Sequence, residues 1–258
     1  MYISDSPQKK IPSIVVKKTK KESPFQKSKR IQLAYERKLR GVAREVIKLI
    51  KAYNPIDTAS VEKLKQALNS YVVLIEPWAR RTSHDLINEI LSQDVRSWKE
   101  HTKEMGKALR DEILNAPTGE VFRQLMEQNV SLIKSIPIEA AQKVHEMVIE
   151  NLSTGDRPVS LIDEIVRIGN VTTNRATLIA RTETARAANT LVQSRAQAVG
   201  SEGYIWRTSN DLVVRLSHRK MNGTYVKWSE PPELDKMTGH AGMLPNCRCW
   251  PQPVLPEG

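Results

Sequence analysis

Residues 174–199, NRATLIARTETARAANTLVQSRAQAV, run into residues 200–208, GSEGYIWRT, and the change of pattern between them decides the fold. The first stretch has no helix breaker and reads as a long helix of about Asn174 to Val199, ending before Gly200. After Gly200 the helical period stops. Six of the eleven glycines, six of the fourteen prolines and three of the five tryptophans fall in residues 200–258. Tyr204 to Thr208, Leu212 to Val214, Thr224 to Trp228 and Arg248 to Val254 read as short strands. Asn210-Asp211 and Asn222-Gly223 are turn signals between them. The expectation is a small antiparallel sheet packed on the long helix. Its core is thin, so a further constraint on its loops would help it fold.

Upstream, helix follows helix. Leu39, Val42, Val46, Leu49 and Ile50 recur at helical spacing, and Asn54-Pro55 ends that run. A second helix carries Val61, Leu64, Leu68, Val72 and Ile75, and Glu76-Pro77 is expected to break or kink it. A third continues through Leu86, Ile90, Leu91, Val95 and Trp98. Further helices are predicted over Met105 to Leu114, Glu120 to Ile136, Ile138 to Leu152 and, after Pro158, Ser160 to Ile168. The fold class is therefore α+β: a mostly helical N-terminal body, then a long helix packed on a small antiparallel sheet. The expected divisions are residues 1–30, 31–170 and 171–258. His84, His101 and His145 stand alone on helices and read as surface or cap-adjacent residues.

The 258 residues carry a formal net charge of +11. Nine basic residues fall in the first thirty: Lys9, Lys10, Lys17, Lys18, Lys20, Lys21, Lys27, Lys29 and Arg30. Only Asp5 and Glu22 oppose them, so this arm alone holds +7. With Pro7, Pro12 and Pro24 and no sustained period, it is expected to be flexible or extended when alone. Such an arm suits an acidic partner, DNA or an acidic protein surface, by counterion release, or serves as a solvated tail. No recognised DNA-reading motif or interleaved aromatics accompany it, which argues against sequence-specific readout. No apolar run is long enough to span a membrane, and Ile14 to Val16 is too short for a signal peptide core. With Cys247 and Cys249 as the only cysteines, a disulfide scaffold is excluded and synthesis in a reducing compartment is expected.

The polar residues that carry chemistry sit in the last sixty. Cys247-Arg248-Cys249 places two thiols one residue apart, after a Pro245-Asn246 turn signal. His218 and His240 complete a Cys2His2 set of the type zinc prefers. A cysteine is also a small hydrophobe, so plain packing is an open reading, as is catalysis by a Cys–His pair or by His218 with His240 acting on RNA. On the long helix, Glu183 and Arg186 are i,i+3 neighbours that can pair on the helix surface.

The run Ile179-Ala180-Arg181-Thr182-Glu183-Thr184-Ala185-Arg186-Ala187-Ala188-Asn189, then Tyr204-Ile205-Trp206, Asp211, Arg215, His218, Asn222-Gly223, Pro231-Pro232 and the closing Pro245-Asn246-Cys247-Arg248-Cys249, resembles the phage head morphogenesis, or minor head protein, family with its Mu F-like domain. The likeness covers roughly residues 130 to 255. The family's motif positions fall on Arg181, Glu183, Arg186, Asp211, Arg215, His218, Cys247, Arg248 and Cys249. Where members often place a His-Pro pair, this chain has Gly239-His240-Ala241-Gly242. The resemblance implies a structural minor capsid protein of a tailed bacteriophage, without a catalytic site. Its implied partners are the portal protein, the major capsid or scaffolding protein and the double-stranded phage DNA, with roles in capsid assembly, DNA packaging and DNA ejection. Its implied location is the virion, in the head interior or at the portal vertex, after synthesis in the host cytoplasm. The rival readings are a metal-dependent or His-based nuclease in the C-terminal module, and a DNA-binding packaging or ejection factor.

Overall fold

The computed structural model describes residues 29–55, 58–103, 107–154 and 158–256. Lys9 to Lys27 of the basic arm lie outside the described residues, while Lys29 and Arg30 are exposed at the start of the first helix.

Five helices make the body: α1 (Lys29–Tyr53), α2 (Thr58–His101), α3 (Lys107–Leu114), α4 (Gly119–Thr154) and α5 (Pro158–Ala198). They bury an apolar interior from α1, α2, α4 and α5, centred on Leu39, Ile87, Ile133, Ala180 and Leu191. A second cluster at one end joins Val46, Ile50, Leu64, Leu68, Val144 and Ile168. α2 runs through Pro77, where a break or kink was expected, and α4 runs through Pro137, where two helices were expected to divide. An interior proline costs about 3 kcal/mol of helix stability. The long α2–α4 contact offsets that cost by burying a continuous apolar face. Lys134 to Glu76 at 2.6 Å and Arg80 to Glu127 at 2.8 Å strap the two helices together beside Pro77. The short helix expected at Ser160 to Ile168 is also continuous with the long one, so the 170/171 division falls inside α5. Gly169 sits where α5 meets α1, and a Cβ there would touch the Ile47 side chain at 3.4 Å.

After Gly200 come β1 (Gly203–Thr208), α6 (Leu216–Lys220), β2 (Tyr225–Lys227), β3 (Glu233–Leu234), β4 (Met237–Thr238) and β5 (Cys249–Val254). The three-stranded sheet has the order β2-β1-β5, antiparallel throughout. Pro251 and Pro253 lie on the edge strand β5, opposite Trp206 and Tyr204. These alternate positions need donate no ladder hydrogen bond, which is how an edge strand accepts proline. Leu212 to Val214, expected as a strand, forms instead the loop between β1 and α6, and His218 lies within α6.

The sheet packs on the last turns of α5, the end of α2 and α3, through Trp98, Ile113, Val192, Ala196, Tyr204 and Trp206. At this junction the Arg195 guanidinium is buried. It donates to Asp94 Oδ2 at 2.6 Å and to the carbonyls of Ile113 and Leu114, each at 2.9 Å. Burial pushes the Asp94 carboxyl up to about 6, against the pull of Arg195. Asp94→Ala leaves a buried cation without its counter-charge and is expected to cost about 3–5 kcal/mol. In chemical denaturation, the double variant Asp94→Ala/Arg195→Met should lose less than the sum of the two single losses.

Candidate functional site

The site is built by loops that β1 and β5 hold in register. Asn246 has a φ of 54° and Cys247 N–H donates to the Leu244 carbonyl at 3.0 Å, so Pro245-Asn246 forms the expected tight turn. This turn curves the chain enough to aim both Cys247 and Cys249 at α6. His218, on α6, is buried and presents Nδ1 to both sulfurs, 3.3 Å from Cys247 Sγ and 3.5 Å from Cys249 Sγ. The three donor atoms lie within 4.8 Å of one another. A tetrahedral zinc, with sulfur at ~2.3 Å and nitrogen at ~2.0–2.1 Å, spaces its S and N ligands about 3.5 Å apart. The His–Cys–Cys set therefore fits such an ion in both chemistry and spacing.

The far side of His218 is equally organised. Its Nε2 lies 3.8 Å from Asp235 Oδ2 and 3.3 Å from Arg215 Nη1. A metal-bound histidine usually donates its second ring N–H to an outer carboxylate; here Asp235 stands beyond hydrogen-bond reach of Nε2 and the nearer group is the Arg215 guanidinium. Asp235 reaches this place because it occupies a two-residue β3–β4 turn, with φ of 53° at Asp235 and 61° at Lys236. That is a type I′ turn made without glycine, and Asp235-Lys236 lacks the Asn-Gly or Asp-Gly signal that would reveal it. Trp206 stacks edge-on against His218 at 5.6 Å.

In the thiol pair, the hydrogen bond from Cys249 to Cys247 is the largest influence. It pulls Cys247 down to about 4, helped by His218 and by the backbone N–H groups of Cys249 and Gly242. The same bond, together with burial, pushes Cys249 up. The direction of both shifts leans Cys247 toward the thiolate, the form a metal needs.

His240 does not join this cluster. Its Nε2 lies 3.1 Å from the Trp228 carbonyl, which only accepts, so Nε2 carries the proton. Its Nδ1 then accepts from the Tyr204 hydroxyl at 3.2 Å, and that oxygen accepts from Ala241 N–H at 3.1 Å. Both ring nitrogens are engaged in a buried box with Tyr204 and Trp228. The four-ligand set expected from the sequence therefore becomes three, and the His218/His240 pair considered for acid–base chemistry is not assembled.

The remaining motif residues hold the loop that carries the cysteines. Glu183 pairs with Arg186 at 3.0 Å, as the spacing predicts, yet Glu183 is buried and not on the helix surface. Arg186 donates to the Met243 carbonyl at 3.2 Å, and Thr182 Oγ1 accepts from Asn246 N–H at 3.2 Å. Gly242, at φ 78°, lies so close to Asn189 that a Cβ would fall 1.7 Å from its Nδ2. Arg215 donates to the Pro245 carbonyl, and Arg248 to Asp211 at 2.6 Å, which with Ser209 holds the Asp211 carboxyl below its usual range. Arg181 is exposed on α5. Asp235 escaped the sequence reading, and Asn189 and Tyr204 stood in it only within longer runs, without the roles they take here. The first hides in a turn without glycine, and the other two act through contacts between distant segments.

Burial holds the His240 imidazole below its ordinary value, offset in part by the Trp228 carbonyl. A base depressed in this way contributes stability that is full above about pH 6.5 and lost as the pH falls from there through the folded value. Denaturant unfolding at pH 7.5 and pH 5 should show wild type losing more stability on acidification than His240→Gln. Equal losses would assign the effect to another group.

Residues 142–251 match the family described as phage Mu protein F like protein. An uncharacterized protein of Haemophilus influenzae is 35% identical over 136 residues, covering 53% of this chain and 30% of that relative's length. No solved structure matches the chain. Among the described residues, no helix is long and apolar enough to cross a membrane. The Cys-Arg-Cys turn, the histidine on α6 and the α5 motif that braces them all lie within the matched span, so it is this module of the chain that is similar to the phage Mu protein F like family.

Proposed function

We propose that the protein is a structural minor head protein of a tailed phage, which docks on the portal or inner shell and contacts packaged DNA through its basic arm. The observation that carries this reading is the family match over residues 142–251. The arm's nine cations in thirty residues support the DNA contact. The C-terminal module then acts as a rigid coupling piece, and zinc held by His218, Cys247 and Cys249 ties its loops. Such an ion would contribute folding free energy to a unit whose own core is thin.

Deleting residues 1–30 tests the arm. If all nine cations neutralise phosphates, the slope of log affinity for double-stranded DNA against log salt should become shallower by about 8. Incorporation of the full chain into proheads tests the head reading itself. A full-length protein absent from proheads assembled in its presence would refute it.

Elemental analysis tests the metal. Protein purified without chelator should carry about one zinc per chain, and His218→Gln and Cys249→Ser should each lose most of it. Wild-type protein with less than about a tenth of an equivalent after zinc exposure would exclude the site.

A further inference from the structure

We infer that the outer face of α1 is a second contact for double-stranded DNA, built on the folded body, that grips the phosphate backbone without reading sequence; the inference extends the DNA contact proposed above beyond the arm. α1 opens with Lys29 and Arg30, so the helix begins where the basic arm ends. Its buried residues, among them Tyr35, Leu39, Val46 and Ile50, lie along one side. At about 100° per residue, Arg30, Arg37, Arg40, Arg44, Lys48 and Lys51 fall within a sector of about 80° on the opposite side. All six are exposed. From Arg37 to Lys51 the row is roughly 21 Å long, at ~1.5 Å per residue.

Most of this row has no counter-charge. Among the described residues, Arg37, Arg40, Arg44 and Lys51 make no ion pair. The carboxylates nearby are turned to other groups. Glu45 takes Lys48 at 2.8 Å, Asp85 takes Lys38 at 3.4 Å, and Glu36 accepts from the Thr177 hydroxyl at 3.2 Å. Arg40 with Arg44, and Arg44 with Lys48, are like charges at i,i+4, a spacing that destabilises a helix slightly until an anion lies across it. Three of the four unpaired cations are arginines, whose forked donors suit phosphate oxygens.

The form of the row selects duplex DNA. A duplex carries one negative charge per ~1.7 Å of its axis, so a straight row of cations meets several phosphates at once. A protein partner would need aromatic or aliphatic anchors at the centre of its contact. The row offers only Leu33, 46% exposed, near its start. A single strand would need aromatic side chains to stack its bases, and none stands in this row.

The test uses the full chain. The stripe variant is Arg37→Gln/Arg40→Gln/Arg44→Gln/Lys51→Gln. The control, Lys63→Gln/Arg81→Gln/Lys99→Gln/Lys107→Gln, removes the same charge from exposed positions on α2 and α3. A third variant, Arg37→Lys/Arg40→Lys/Arg44→Lys, keeps the charge. Each is titrated with a short duplex of random sequence, a poly-dT strand, polyglutamate and phosphatidylglycerol vesicles. Because the substituted side chains face solvent, all should unfold at the wild-type temperature. The stripe variant should bind duplex at least about tenfold more weakly, and its slope of log affinity against log salt should be shallower by about 3–4. The control and the lysine variant should stay within about threefold of wild type. Undiminished duplex binding by the stripe variant, an equal loss in the control, or a lysine variant as weak as the glutamine one overturns the inference. So does a loss confined to poly-dT, polyglutamate or vesicles. In each of those cases wild type still binds DNA, and the arm's contact stands. Wild type without affinity for duplex DNA overturns the stripe and the arm's DNA contact together, while incorporation into proheads still decides the head reading.

Discussion

The buried pair between Arg195 and Asp94 is the interaction on which the union of the two halves depends. The C-terminal sheet has three short strands and cannot bury its aromatic residues alone. It borrows the end of α5, the end of α2 and the short α3. Arg195, itself on α5, reaches the other two through one carboxylate and two carbonyls of the last turn of α3. A charge so deep is tolerable only with its partners in place, so the helices have few alternative ways to meet. Removing one partner leaves the penalty and none of the compensation.

From that fixed end, α5 serves as a rail for the loop of residues 239–248. Thr182, Arg186 and Asn189 successively meet Asn246, Met243 and Gly242. The motif dense in polar side chains is therefore a set of anchors spaced along one helix face. What it anchors is the pair of cysteines opposite His218. The cluster is closed on one side by Asp235 and on another by Trp206, with a second buried box around His240 completing the module. These contacts hold the module as one rigid arrangement, within the span that matches the phage Mu protein F like family.

Much of this is legible in the chain. Helical periodicity from about Ile31 to Val199, and its collapse at Gly200, lead to the α+β class. Glycines, prolines and tryptophans crowded at the end mark a small sheet. The Cys-Arg-Cys turn and His218 stand out because few residue types can do what they do. Less legible were the prolines. Pro77 and Pro137 read as breaks, since proline removes a helical hydrogen bond, yet helix-to-helix burial outweighs that loss. Leu212 to Val214 read as a strand from composition, but no neighbouring strand pairs with it and Asp211 holds it as a loop.

Local chemistry, then, determined by itself the helical character of the body, the position of the sheet, the tight turn before Cys247 and the Glu183–Arg186 pairing, because each depends on residues within a few positions of one another. Tertiary structure alone decided which histidine meets the cysteines. His218 and His240 are equally plausible as ligands by type and spacing. Only the fold turns one toward two sulfurs and closes the other between a tyrosine hydroxyl and a tryptophan carbonyl, because those partners come from segments far apart in the chain.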